Sequence, residues 1–358
     1  MRIFSRLNKF AVAVLGLAAL ALSLACVSLR SGDTSSGSAS SVEDRDWKQE
    51  IAATPSQGKN QERPEVTASS DFWRTWGDGK AELSGYEVTT MRYGEPRQGN
   101  AVLIYVTEPM DSRTWVKDDR GEVPAEHRVN VVKLNHTLKF QTGVYPYSVM
   151  TSTFTPVDGD GRARFSPSKI SMSSQEWCGH VYNQIFPKAD RFFSMSHSYF
   201  GAEGDQHSAV ETGGGALDED ALLIQLRELD GPFNGGRDWS GRLIPSLWST
   251  RKAHVDLEPV AATITRADTE LDGVAVTRFV ITSAGQQRTV DVEKAGQRRV
   301  LGWSTSEGER ARLLKTARLP YWQLNREGDQ SYLSAIGLAP PAPSKRADRD
   351  TRQSYSGT

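Results

Sequence analysis

Four side chains in this sequence are of the types and at the spacing that could do chemistry together: Glu176, Cys178, His180 and His197. Lys169 to Tyr182 reads as a strand, and its period-2 alternation puts Glu176, Cys178 and His180 on one face. Arg191 to Ala202 is the expected return strand. A symmetric hairpin sets Cys178 opposite Met195 and Glu176 opposite His197, with opposed Cβ atoms about 4.5–5.5 Å apart. Three readings stay open. Cys178 becomes a nucleophile if His180 or His197 takes its proton and Glu176 orients that base. One thiolate, two imidazoles and a carboxylate also suit zinc. The third reading is a small buried thiol with histidines hydrogen-bonded at a sheet margin. Same-face neighbours on a strand lie nearly 7 Å apart, and a register slip of one residue dissolves the cluster.

A second chemical position is Cys26. Arg2, Arg6 and Lys9 precede an unbroken apolar run from Phe10 to Leu22, and Leu22-Ser23-Leu24-Ala25-Cys26 follows. The run is short for a membrane span but suits a cleavable export segment. The stretch resembles the lipobox of bacterial lipoproteins, with Ser23 where the usual leucine stands. The resemblance implies that Cys26 is acylated, by palmitate among other chains, and becomes the first residue after cleavage. More than one acyl chain anchors stably, at about 0.8 kcal/mol per buried methylene. Val27 and Ser28 lack an acidic retention signal, so the expected address is the outer membrane, facing the periplasm.

Other motifs fail on context. Ser166-Pro167-Ser168-Lys169 matches Ser-x-x-Lys, but a proline sits inside it and a strand follows. Asp158-Gly159-Asp160-Gly161 lacks the further acids of a calcium loop and reads as a hairpin turn. Gly213-Gly214-Gly215 has no flanking strand and lysine to make a phosphate cradle. No cofactor is expected. The formal charge of −1 falls near −4 once Arg2, Arg6 and Lys9 are removed, so counterion release cannot drive nucleic-acid binding.

The elements that must carry these residues follow from alternation and turn formers. The chain divides into an export segment (1–26), a Ser/Gly-rich tether expected to be disordered (27–70), a β-rich globular domain (71–339) and a disordered tail (340–358). Phe72, Trp73 and Trp76 plug one end of the core, with Asp71 as the helix cap. Strands are expected at 81–92 and 101–108, joined by a loop over 94–99. Val132, Leu134, His136, Leu138 and Phe140 share one face of the next strand, and Tyr145, Tyr147 and Val149 one face of its partner. The turn between these two strands falls at Gln141-Thr142-Gly143. A helix opens at Asp218 with Leu222, Leu223, Leu226 and Leu229 as its stripe and Gly231 as its end. From Val260 an up-and-down meander turns at Asp272-Gly273, Ala284-Gly285, Ala295-Gly296 and Glu307-Gly308. The fold class is mainly β: a curved antiparallel sheet, open half-barrel or sandwich, with a C-terminal meander and one or two short helices.

Val290-Asp291-Val292-Glu293-Lys294 and Arg299-Val300-Leu301-Gly302-Trp303, with Phe72–Gly79 and Ser173–His180, are similar to stretches of uncharacterised bacterial envelope lipoproteins. The order of elements resembles, more distantly, the half-barrel of the LolA/LolB lipoprotein carriers. That resemblance implies a curved sheet around an acyl-binding cavity. The expectation is a non-enzymatic, lipid-anchored envelope protein that binds an apolar ligand or a protein partner. The alternative is a cysteine-dependent hydrolase or acyltransferase acting on envelope material through Cys178.

Overall fold

The computed structural model describes residues 68–158 and 164–341. The export segment, Cys26, the tether up to 67 and the tail from 342 lie outside the described residues, as does most of the turn after Asp158. Sixteen strands form in chain order among the described residues. The first half holds β1 (Ala81–Arg92), β2 (Glu95–Asp111), β3 (Val116–Lys117), β4 (Arg128–Thr142), β5 (Tyr145–Pro156), β6 (Lys169–Glu176), β7 (Gly179–Pro187), β8 (Arg191–Ser198) and β9 (Gln206–Glu211). The second half holds β10 (Leu217–Asp218), β11 (Trp239–Ile244), β12 (Val260–Leu271), β13 (Val274–Ser283), β14 (Gln286–Glu293), β15 (Val300–Thr305) and β16 (Arg310–Leu319). The α-helices among the described residues are α1 (Ser70–Trp76), α2 (Leu222–Gln225) and α3 (Leu247–Ala253).

All strands belong to one curved, unclosed sheet. β1 lies in its middle, between β16 and β2. From there the chain winds outward through β2 and β4 to the free edge at β9. It then crosses to the other edge, β10, and returns by the meander β11–β16 to pair with β1. Every pairing is antiparallel except the short β10–β11 contact. The mainly β, curved and open architecture expected from the sequence is therefore present.

Alternation explains the core. Val132, Leu134, Leu138 and Phe140 of β4 are buried on the concave face, as are Tyr147 and Val149 of β5. Residues 222–226 fill that concavity. The helix expected from Asp218 is shorter: a 3-10 turn over Glu219–Ala221 and then one α-turn. Leu222, Leu223, Ile224, Gln225 and Leu226 are all buried, so this segment is enclosed on every side and no polar face can continue it. At one end α1 inserts Phe72 and Trp76 as expected, but its cap is Ser69, whose Oγ accepts the Phe72 N–H at 3.2 Å. Asp71 sits in the first turn.

Two turns also differ. Tyr93-Gly94 joins β1 to β2 with both residues left-handed (φ 56° and 74°), the two-residue geometry that matches strand twist, so the expected 94–99 loop shrinks to this turn and residues 95–99 are strand. Thr142 pairs with Tyr145, so the β4–β5 turn is Gly143-Val144 rather than 141–143. A smaller apolar cluster covers the convex face. Ile336 and its neighbours in the C-terminal 3-10 segment (Asp329–Ile336) cover Ala81, Leu83 and Val106. Gly85 lets that segment approach, since the Ile336 carbonyl occupies the place of a side chain there.

Candidate functional site

The expected quartet does not assemble. The segment from Lys169 to Tyr182 is two strands, β6 and β7, joined by a two-residue turn at Trp177-Cys178. Neither turn residue is left-handed, and neither is of the Gly or Asn type that announces such turns. Glu176 holds the turn, its Oε2 accepting the Cys178 N–H at 2.7 Å. Pairing then shifts throughout. Gln184, not Cys178, faces Met195, and Tyr182, not Glu176, faces His197. His180 pairs back against Gln175 and is exposed, while His197 Nδ1 lies 3.2 Å from Asp205 Oδ1. Cys178 stands exposed, and the hydrogen bond and charge of Glu176 push its thiol above its ordinary range. That is the opposite of thiolate activation. Among the described residues, no group of three or more His, Cys, Asp or Glu is arranged to hold a metal ion, so the zinc reading has no ligand set there.

Chemistry-bearing groups converge instead on either side of α3. On its inner side lies a cavity of about 60 Å³. His136 on β4, Glu219 and Asp220 before α2, Trp248 on α3, Arg288 on β14 and Glu309 just before β16 line it. The two carboxylates hold the start of α3. Glu219 Oε2 accepts the Ser246 N–H at 3.1 Å, and Asp220 Oδ2 accepts the Leu247 N–H at 2.9 Å. Arg288 pairs with Glu219 at 3.1 Å. Glu309 accepts from Trp303 Nε1 at 2.9 Å and from Thr90 Oγ1 at 3.1 Å. His136 Nε2, Trp248 Nε1 and Arg288 Nε are buried without a protein partner. Burial raises the Asp220 carboxyl to about 6, against the opposing pull of the Leu247 N–H. Burial, reinforced by the positive charge of Arg288, lowers the His136 imidazole to about 4. The volume has room for a few waters but none for an acyl chain.

On the outer side of α3 is a groove of about 760 Å³ along the seam of the sheet. One wall is the upper part of β7–β9, with Asn183, Ser194, Ser196 and Ser208. The other is the segment after α3, where Val255 and Leu257 alternate with Asp256 and Glu258, and Phe200 also lines the space. Glu203 sits at its mouth. It takes Arg251 at 3.2 Å, the His254 ring at 2.5 Å and the Ser198 hydroxyl at 3.1 Å. The Arg251 guanidinium lies 4.4 Å from the Phe200 ring centre. On β8 the pattern Phe192, Ser194, Ser196 replaces a buried aromatic by hydroxyls, and these short side chains leave the space open.

No family model, no curated protein and no solved structure matches the chain. The likeness to envelope lipoproteins thus rests on the sequence stretches alone, and that to the LolA/LolB carriers on the order of elements alone. The sequence reading missed the residues around α3. The one visible signal was His136, a lone imidazole inside the apolar face Val132–Phe140.

Proposed function

We propose that this chain is a non-enzymatic binding protein of the bacterial envelope, anchored through lipid on Cys26 at the outer membrane and facing the periplasm. Its ligand occupies the seam groove. One observation supports the reading above others: residues 222–226 pack into the concavity, the cavity beside α3 measures about 60 Å³, and the groove at the seam measures about 760 Å³. The cavity beside α3 is too small to serve as a LolA/LolB-like acyl chamber. Hydroxyl and amide groups on one wall, and apolar side chains alternating with the carboxylates Asp256 and Glu258 on the other, suit an amphipathic ligand with a polar head.

The test is native mass spectrometry of protein purified without detergent, together with titration by a fluorescent lysophospholipid. The expected result is a bound amphiphile in the native protein and saturable probe binding, abolished by Ser196→Phe, which fills the groove. Absence of bound amphiphile and of saturable binding, or binding unaffected by Ser196→Phe, refutes the groove as the ligand seat.

A further inference from the structure

Antiparallel winding carries a consequence for the chain's turns. The β1–β2, β4–β5, β6–β7 and β8–β9 connections all fall at the same end of the sheet. Large side chains stand out at every one: Tyr93 is 57 % exposed, Val144 76 %, Trp177 71 % and Tyr199 69 %. Nothing in strand formation requires them. A two-residue turn is normally Asn, Asp or Gly, and an exposed tryptophan there gains nothing from the fold.

They form a connected rim. The Tyr145 ring lies 6.2 Å from Trp177, and its hydroxyl meets that of Tyr93 at 3.3 Å. Tyr199 lies across Gly179, immediately after the Trp177-Cys178 turn. The rim is also held in place. The Tyr93 hydroxyl is 2.8 Å from that of Tyr147, and the Arg92 guanidinium lies 4.3 Å from the Tyr93 ring centre. A prearranged surface has little side-chain entropy left to lose on docking.

We infer that this aromatic rim sits in the headgroup region of a phospholipid bilayer. Tyrosine and tryptophan have apolar bodies with one polar tip, the combination favoured at a membrane–water interface. The choice of a bilayer over a protein surface rests on the anchor reading above: acylated Cys26 would place this domain beside lipid. Geometry allows it. β1 has 12 residues, so at about 3.3 Å each the rim lies roughly 40 Å from the end where α1 inserts. Residues 27–67 can span up to about 140 Å when fully extended, enough to turn the far end toward the membrane.

The test uses the full chain with Cys26→Ser, which leaves Cys178, exposed beside Trp177, as the sole thiol. A bimane label on it is mixed with phosphatidylethanolamine/phosphatidylglycerol vesicles carrying brominated acyl chains. The expected result is a blue shift and quenching of the label, both lost in Trp177→Ser/Tyr199→Ser. A label at the opposite end, on Asp119→Cys in a Cys178→Ser background, should stay unshifted. A Cys178 label unchanged by vesicles, or a response that survives removal of both aromatics, overturns the inference. The intact mass of wild-type protein separately reports acylation of Cys26. A shifted Cys178 label on a chain whose wild type is unacylated upholds the rim and removes only the anchor.

Discussion

Asp220 and His136 share one cavity, and burial displaces them in opposite directions, so their effects on stability should oppose each other with pH. The His136 imidazole falls from 6.5 to about 4 on folding. Between those values the unfolded chain binds a proton that the folded one does not, so acidification destabilises. That displacement corresponds to about 3 kcal/mol, present above pH 6.5 and lost as pH falls toward 4. The Asp220 carboxyl rises from 3.8 to about 6. There the folded state binds the extra proton, so acidification from pH 6 to 4 stabilises by about 3 kcal/mol. The wild-type contributions therefore nearly cancel across this window. Asp220→Asn should expose the histidine slope. It keeps an acceptor for the Leu247 N–H, gains about 3 kcal/mol at pH 7 from removal of the buried charge, and then loses about as much on acidification to pH 4. His136→Leu should show the reverse slope, becoming more stable as pH falls from 6. Urea midpoints followed by circular dichroism between pH 4 and 7.5 measure all three proteins, and differences from wild type remove the effects of other groups. Glu293, which its hydrogen bond with Arg299 holds low, belongs to that common background. If Asp220→Asn and His136→Leu both track the wild-type slope, the opposed titrations do not exist and the cavity is wetter than its burial implies.

Three further outcomes are expected. Arg227 and Glu82 form an ion pair at 2.8 Å with side-chain exposures of 0 % and 2 %, so Arg227→Met should cost about 3–5 kcal/mol in urea unfolding, and Arg227→Met/Glu82→Leu should recover most of it. Cys178 should react with iodoacetamide at pH 7 more slowly than glutathione despite its exposure, and Glu176→Gln should speed it, because the carboxylate holds the thiol protonated. Gly85→Ala should drive a Cβ into the Ile336 carbonyl, costing about 1–3 kcal/mol and raising hydrogen exchange and proteolysis in residues 329–338.

What the sequence by itself determined is local. Period-2 burial on β4 and β5, the meander from Val260 and left-handed turns such as Asp272-Gly273 depend on residues within a few positions of one another. These were enough for a mainly β, curved and open sheet. The Trp177-Cys178 turn escaped because its residues carry no turn signal, and that one hairpin moved Met195 from Cys178 to Gln184. The tertiary structure alone decided the rest. Winding from a central β1 set the seam between β9 and β10 and brought the turn aromatics to one end. It also gathered His136, Asp220, Arg288 and Glu309 around one cavity. Pairing between strands far apart in the chain is chosen by burial of the whole sheet, which no single segment encodes.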